Sequence, residues 1–110
     1  MADLPLDIDF EPDVLIRRKN ALTRAIEPAT GLTGVTLRIA LTPTGAAVGG
    51  CTVAAAEAGT TGRYFGVIDT AQLVTDLAAY ESSTVYLIAA KTGDFDRVYG
   101  EYIVRRSSAM

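Results

Sequence analysis

Leu4, Leu6, Ile8 and Phe10 alternate with Asp3, Pro5, Asp7, Asp9 and Glu11. A period of two is the pattern of a strand with one covered face. Pro5 and Pro12 lack amide protons, which suits an edge strand or an extended arm better than a central strand. Residues 1–12 therefore read as an N-terminal arm whose apolar side needs a surface to cover. The next stretch, "VLIRRKNALTRAI", is ambiguous. Leu15, Leu22 and Ile26 fall near one face of a helix, while two strands about a turn at Lys19-Asn20 fit as well. The strand-rich context that follows favours the second.

"EPATGLTG" is a loop punctuated by Pro28, Gly31 and Gly34. "VTLRIALT" is the clearest strand, with Val35, Leu37, Ile39 and Leu41 on one face and Thr36, Arg38, Ala40 and Thr42 on the other. "PTGAAVGG" is a turn, "CTVAAAE" the returning strand, "AGTTG" a turn and "RYFGVID" the next strand. Gly66 sits inside that strand pattern, which predicts a close neighbour opposite it. The period then changes: Leu73, Leu77 and Tyr80 are spaced for a short helix that Asp69 or Thr70 can cap. "TVYLIAA" is an apolar strand buried on both faces, and "KTGDFD" a hairpin turn. In "RVYGEYIVRR", Val98, Gly100, Tyr102 and Val104 share one face and Arg97, Tyr99, Glu101, Ile103 and Arg105 the other.

Short strands with turn signals every 8 to 12 residues are the signature of an all-β sandwich or small barrel. The expected fold is an immunoglobulin-like β-sandwich of about seven strands. One short helical link interrupts it and the extended N-terminal arm precedes it. Residues 13–106 form the sandwich and 107–110 a tail.

Composition narrows the chemistry. The 110 residues hold one cysteine, no histidine and no tryptophan. Internal disulfides are excluded, and so are histidine-dependent triads and the usual zinc sites. The absent Cys…Trp…Cys pattern removes an antibody-type domain. Cys51 reads as a small core residue. No apolar run is long enough for a membrane-crossing helix, and the acidic N-terminus has neither part of a signal peptide, so a soluble cytoplasmic product is expected. The net charge of −3 is uneven: residues 1–13 hold five acids and no base, leaving eight acids against ten bases. An acidic arm on a slightly basic body can pair with a neighbouring copy. The body is too weakly charged for a dedicated nucleic-acid binder.

Candidate sites are few. "GTTGRY" contains Gly-x-x-G, but a β-prone stretch follows it where a phosphate loop needs a helix, so a hairpin turn is the better reading. Asp7 and Asp9 could share a hard cation, yet the loop pattern of a calcium site is missing. No cofactor is expected and catalysis is disfavoured. The partner-binding candidates are Leu4, Leu6, Ile8 and Phe10 on the arm. Asp7, Asp9, Arg17, Arg18, Arg105 and Arg106 are the charged candidates, since arginine pairs well with carboxylates.

Residues 30–106 resemble small immunoglobulin-like proteins of tailed-bacteriophage structural modules. The likeness rests on "VTLR" at 35–38, a "TPTG" hairpin at 42–45, "GRYFGVID" at 62–69, a helical link at 71–80 and "YIV" at 102–104. It implies a non-enzymatic virion structural protein, a capsid decoration (cement) or head–tail accessory protein. Such a protein would be assembled in the host cytoplasm and bound to a major capsid or other virion protein as a homo-oligomer or as lattice copies, without nucleic acid or membrane. The alternative it implies is a receptor- or glycan-binding module of a tail fibre or baseplate, with Tyr64, Tyr99 and Tyr102 as the binding patch.

Overall fold

The computed structural model describes residues 2–6, 8–19 and 22–105. Its main sheet has five strands in the order β1 (Ala2–Pro5), β10 (Phe95–Arg105), β9 (Thr84–Lys91), β5 (Val35–Ala40), β6 (Ala47–Ala54). β1 runs parallel to β10 and the other neighbours are antiparallel. A second sheet orders β2 (Asp13–Leu15), β8 (Arg63–Phe65) and β7 (Ala56–Glu57). A separate two-stranded ribbon pairs β3 (Arg17–Lys19) with β4 (Ile26–Pro28). One helix, α1 (Thr70–Leu77), continues into a 3-10 turn at Ala78–Tyr80. The chain is thus mostly β, with ten strands among the described residues.

Alternation builds one core between the two sheets. Leu4 on β1, Val35, Leu37 and Ile39 on β5, Val85, Leu87 and Ala89 on β9 and Val104 on β10 meet Val14 of β2 and Tyr64 of β8. Leu73 and Leu77 of α1 enter the same core. The segment expected to lie across a neighbour is therefore a strand of the chain's own main sheet. Leu4 and Leu6 are fully buried, and the Leu6 amide donates to the Arg105 carbonyl at 2.8 Å. Burying each leucine contributes roughly 1.5–3 kcal/mol. Pro5 ends an edge strand, where its missing amide costs nothing.

The ambiguous stretch resolves into strands: β2, β3 and β4 all come from it or border it, with Lys19 opposite Ile26. The helix starts where the period change predicts, and the Asp69 carboxylate accepts from the Gln72 amide at 2.8 Å. β9 buries Val85, Leu87, Ile88 and Ala89. Ile88 lies on the outer face, opposite Arg38 on one side and Val98 on the other.

β10 departs from simple alternation. A bulge between Val98 and Gly100 shifts the register, so Val98 pairs with Ile88 on the outer face while Gly100, Tyr102 and Val104 face inward. One extra residue in a strand reverses its phase. "RYFGVID" is likewise only partly strand. β8 stops at Phe65, yet the Gly66 amide donates to the Pro12 carbonyl, and Phe10 and Ile68 exchange both backbone bonds. Gly66 has the close neighbour its position implied: a Cβ there would sit 2.7 Å from Val53 Cγ1.

Candidate functional site

Three bases in a row cannot occupy a buried strand, and the ribbon carries them where they stay solvated. Every described residue from 17 to 28 is exposed. Leu22, in the connecting turn, is 93% exposed and Ile26 is 62% exposed. The ribbon is closed at its base, where the Ala29 amide donates to the Ile16 carbonyl at 2.8 Å and the Ile16 amide to the Gly62 carbonyl at 3.0 Å. Directly opposed residues of an antiparallel pair share a face. Arg17 opposite Pro28 and Lys19 opposite Ile26 therefore form one face, and Arg18 opposite Glu27 the other. Arg18 is ion-paired with Asp94 in the β9–β10 turn, which braces the ribbon against the body. Arg17, Lys19, Arg24 and Arg97 make no ion pair among the described residues. A groove between the ribbon and the start of β10 is lined by Arg17, Lys19, Ile26, Phe95 and Arg97.

A second exposed surface lies on the outer face of the small sheet. From Arg63 to Asp69 exposure alternates strictly, with Tyr64, Gly66 and Ile68 buried. Phe65 and Val67 face solvent at 45% and 46%. Asp13 is opposite Phe65 in the register, and Glu11, exposed, belongs to the stretch between that pair and the Phe10–Ile68 bridge. Asp13 binds Arg63 at 2.7 Å, while Glu11 has no hydrogen bond or ion pair among the described residues. The result is a pair of apolar side chains bordered by acids.

The residues singled out in the sequence divide sharply. Leu4 and Leu6 lie in the core. Phe10 is half-buried, its ring edge-on to Tyr102 with centroids 5.2 Å apart. Ile8 remains 54% exposed. Arg105 binds Asp3 at 3.1 Å, so part of the acidic N-terminus is paired inside the chain. The Asp9 carboxylate accepts from both the amide and the hydroxyl of Thr70 at 2.8 Å, which holds its pKa below the ordinary value. Asp7 and Arg106 lie outside the described residues. Arg17 and Arg18 fall together on the ribbon.

The turn "AGTTG" is stitched by a carboxylate. Glu57 accepts from the Gly31 amide at 2.8 Å and the Gly62 amide at 2.9 Å, joining two loops. Gly62 has φ 78°, and a Cβ there would lie 2.6 Å from Pro28 Cβ. An amide already bound to a carboxylate is not open to an anion. The tyrosines do not form a common exposed patch. Tyr64 is fully buried, donating to the Ala29 carbonyl at 2.7 Å and accepting from the Leu32 amide at 3.0 Å. Tyr102 is half-buried, and burial raises its pKa. Cys51 is buried beside Asp76, and desolvation with the nearby carboxylate pushes the thiol up to about 12. Asp76 also accepts from the Gly50 amide at 2.7 Å, tying α1 to the edge strand β6.

Sequence reasoning did not select Lys19, Leu22, Arg24 and Ile26 as surface determinants, nor Phe65 and Val67. The signal for the ribbon was present in "RRK" set against "IEP": neither strand has an apolar partner on both sides. The signal for Phe65 was its alternation with the buried Tyr64. No helix among the described residues is long and apolar enough to cross a membrane. The sequence matches no protein-family model, and the chain matches no curated protein and no solved structure.

Proposed function

We propose that the protein is a non-enzymatic structural protein of a tailed-bacteriophage virion. It would be an immunoglobulin-like sandwich that joins a symmetric protein assembly as a capsid decoration or head–tail accessory component. The sandwich reading is supported by the strand order, in which β2, β8 and β7 would be strands B, E and D, β6, β5, β9 and β10 strands C′, C, F and G, and β1 a first strand beside G. The phage reading draws on the resemblance over residues 30–106. The site carboxylates support a structural role, since Asp9, Glu57, Asp69 and Asp76 are occupied holding backbone amides.

The single observation that carries the reading is the ribbon. A projecting, cationic, apolar-tipped hairpin contributes nothing to the core, and such a surface suits contact with another protein. It takes over the docking role that the alternation of residues 4–10 suggested for the arm. Deleting residues 1–12 would remove Leu4 and Leu6 from the core and so could not test attachment. The test is to replace residues 18–27 by Asn-Gly, a two-residue hairpin turn joining Arg17 to Pro28. The shortened chain is expected to fold and to be lost from purified virions. Cryo-electron microscopy of particles with the intact chain is expected to show it at symmetry-related positions. Absence of the intact chain from purified virions overturns the reading.

A further inference from the structure

We propose that the ribbon's partner is a second copy of this chain. The ribbon of one copy docks on the outer face of the β2–β8 sheet of the next, in a head-to-tail contact. The inference rests on reading the ribbon as a protein-contact element and adds what receives it.

The argument is complementarity between two surfaces of one sequence. The ribbon segment, residues 17–28, holds Arg17, Arg18, Lys19 and Arg24 against Glu27 alone. Among its described residues, the large exposed apolar side chains are Leu22 and Ile26. The receiving face holds Glu11, Asp13 and, beyond Val67, Asp69 against Arg63 alone, with Phe65 and Val67 exposed among them. Both surfaces thus offer apolar contact area, and their charges are opposite in sign. Arg17, Lys19 and Arg24 on the ribbon and Glu11 on the face have no ion pair among the described residues, while Asp13 is paired with Arg63 and Asp69 accepts from the Gln72 amide.

The two surfaces cannot satisfy each other within one chain. β2 ends at Leu15 and β3 begins at Arg17, and the ribbon is braced instead on the β9–β10 turn through Arg18 and Asp94. Because the two patches differ, the contact is heterologous: every copy offers one ribbon and one receiving face. Repetition of such a contact gives a ring when the rotation closes and a filament when it does not. Opposite charge across the contact fixes register and speeds encounter, so the association weakens with salt.

Sedimentation equilibrium of the full chain over a concentration series tests this. Two charge-swapped variants are required. One carries Arg17→Glu, Lys19→Glu and Arg24→Glu on the ribbon, and the other Glu11→Lys and Asp13→Lys on the face. All five positions are exposed, and circular dichroism checks that both variants keep the β fold. The wild type is expected to associate and to weaken about tenfold or more when salt is raised from low to high, as charge-steered contacts do. Each variant alone is expected to remain monomeric, and an equimolar mixture to associate again, because each ribbon then meets a face of opposite charge. A monomeric wild type at the highest concentration in low salt overturns the proposal, as does a mixture that stays monomeric. Virion content separates this from the function proposed above. A ribbon variant lost from particles while the isolated wild type stays monomeric sinks self-docking alone. A wild type that oligomerises but is absent from particles sinks the virion role alone.

Discussion

β1 and the ribbon both come from the N-terminal quarter of the chain, and both pair as strands, yet they end in opposite environments. β1 lies on the edge of the main sheet with Leu4 and Leu6 fully buried, while the ribbon exposes every described residue from 17 to 28. The difference follows from what the alternation leaves behind. In the N-terminal stretch every second residue is apolar, so one face can close over a core. In "RRK" no residue is apolar, and opposite it "IEP" supplies only Ile26. A strand without an apolar face cannot join a core, so it projects. Periodicity reveals that a face must be covered, and it is silent about whose surface covers it.

The sharpest way to break this comparison is by truncation on each side of it. Leu6→Ala removes a fully buried side chain and should cost about 2–5 kcal/mol, with Leu4→Ala similar. Leu22→Ala, at the tip of the ribbon, should stay within about 0.5 kcal/mol of the wild type. Urea unfolding measures all three. A Leu22→Ala loss as large as that of Leu6→Ala would mean that the ribbon packs on the body in solution. The contrast between the two regions would then disappear.

The join between ribbon and body gives a smaller effect. Tyr64 holds the chain just as it leaves the ribbon, through the Ala29 carbonyl and the Leu32 amide. Tyr64→Phe keeps the ring in the core but leaves these backbone groups without their partner. The expected cost is about 1–3 kcal/mol, read by the same unfolding curves. A neutral result would place water at the hydroxyl's position and detach Tyr64 from the ribbon's base.

Much of the main sheet was legible because its strands follow a simple rule. β5 alternates from Val35 to Ile39. After that Ala40 is buried beside Ile39, and Leu41, expected on the covered face, is exposed because the pairing with β6 shifts register there. The helix announces itself through Leu73, Leu77 and the capping Asp69. The phase of β10 was not legible, because the bulge between Val98 and Gly100 depends on pairing with β9 rather than on the local sequence. The fate of residues 4–10 was hidden for a related reason. Their alternation fits a neighbour's sheet edge and the chain's own β10 equally well, and the deciding bonds join residues about a hundred positions apart, such as Leu6 to Arg105. The candidate surface was half legible. Arg17 and Arg18 stood out as charges, but that Lys19 and Ile26 share a face requires the register of a hairpin.

The start of α1 can be loosened in steps. Asp69→Ala removes the helix cap, and a loss of about 1 kcal/mol is expected in thermal unfolding. Asp69 also borders the receiving face, so self-association should weaken slightly while Glu11 and Asp13 remain. Unchanged self-association would remove Asp69 from that face.

Asp9 supplies the finest test, since it fastens the N-terminal segment to the helix start by charge-assisted bonds. The hydroxyl and then the amide of Thr70 favour its ionised form and hold its pKa below the ordinary 3.8. A carboxyl whose folded pKa is depressed contributes stability above its unfolded value, and that share is lost as pH falls through the folded value. The wild type should therefore exceed Asp9→Asn in stability at pH 6, with the gap closing as pH drops below about 4. Chemical denaturation at a series of pH values reads this directly, and an NMR titration of the Asp9 carboxyl should find its midpoint below 3.8. A gap that stays constant from pH 6 to pH 2 would show that the Thr70 bonds do not form in solution. Residues 8–10 would then be held by the Phe10–Ile68 bridge and the edge contact of Phe10 with Tyr102, packing that does not titrate.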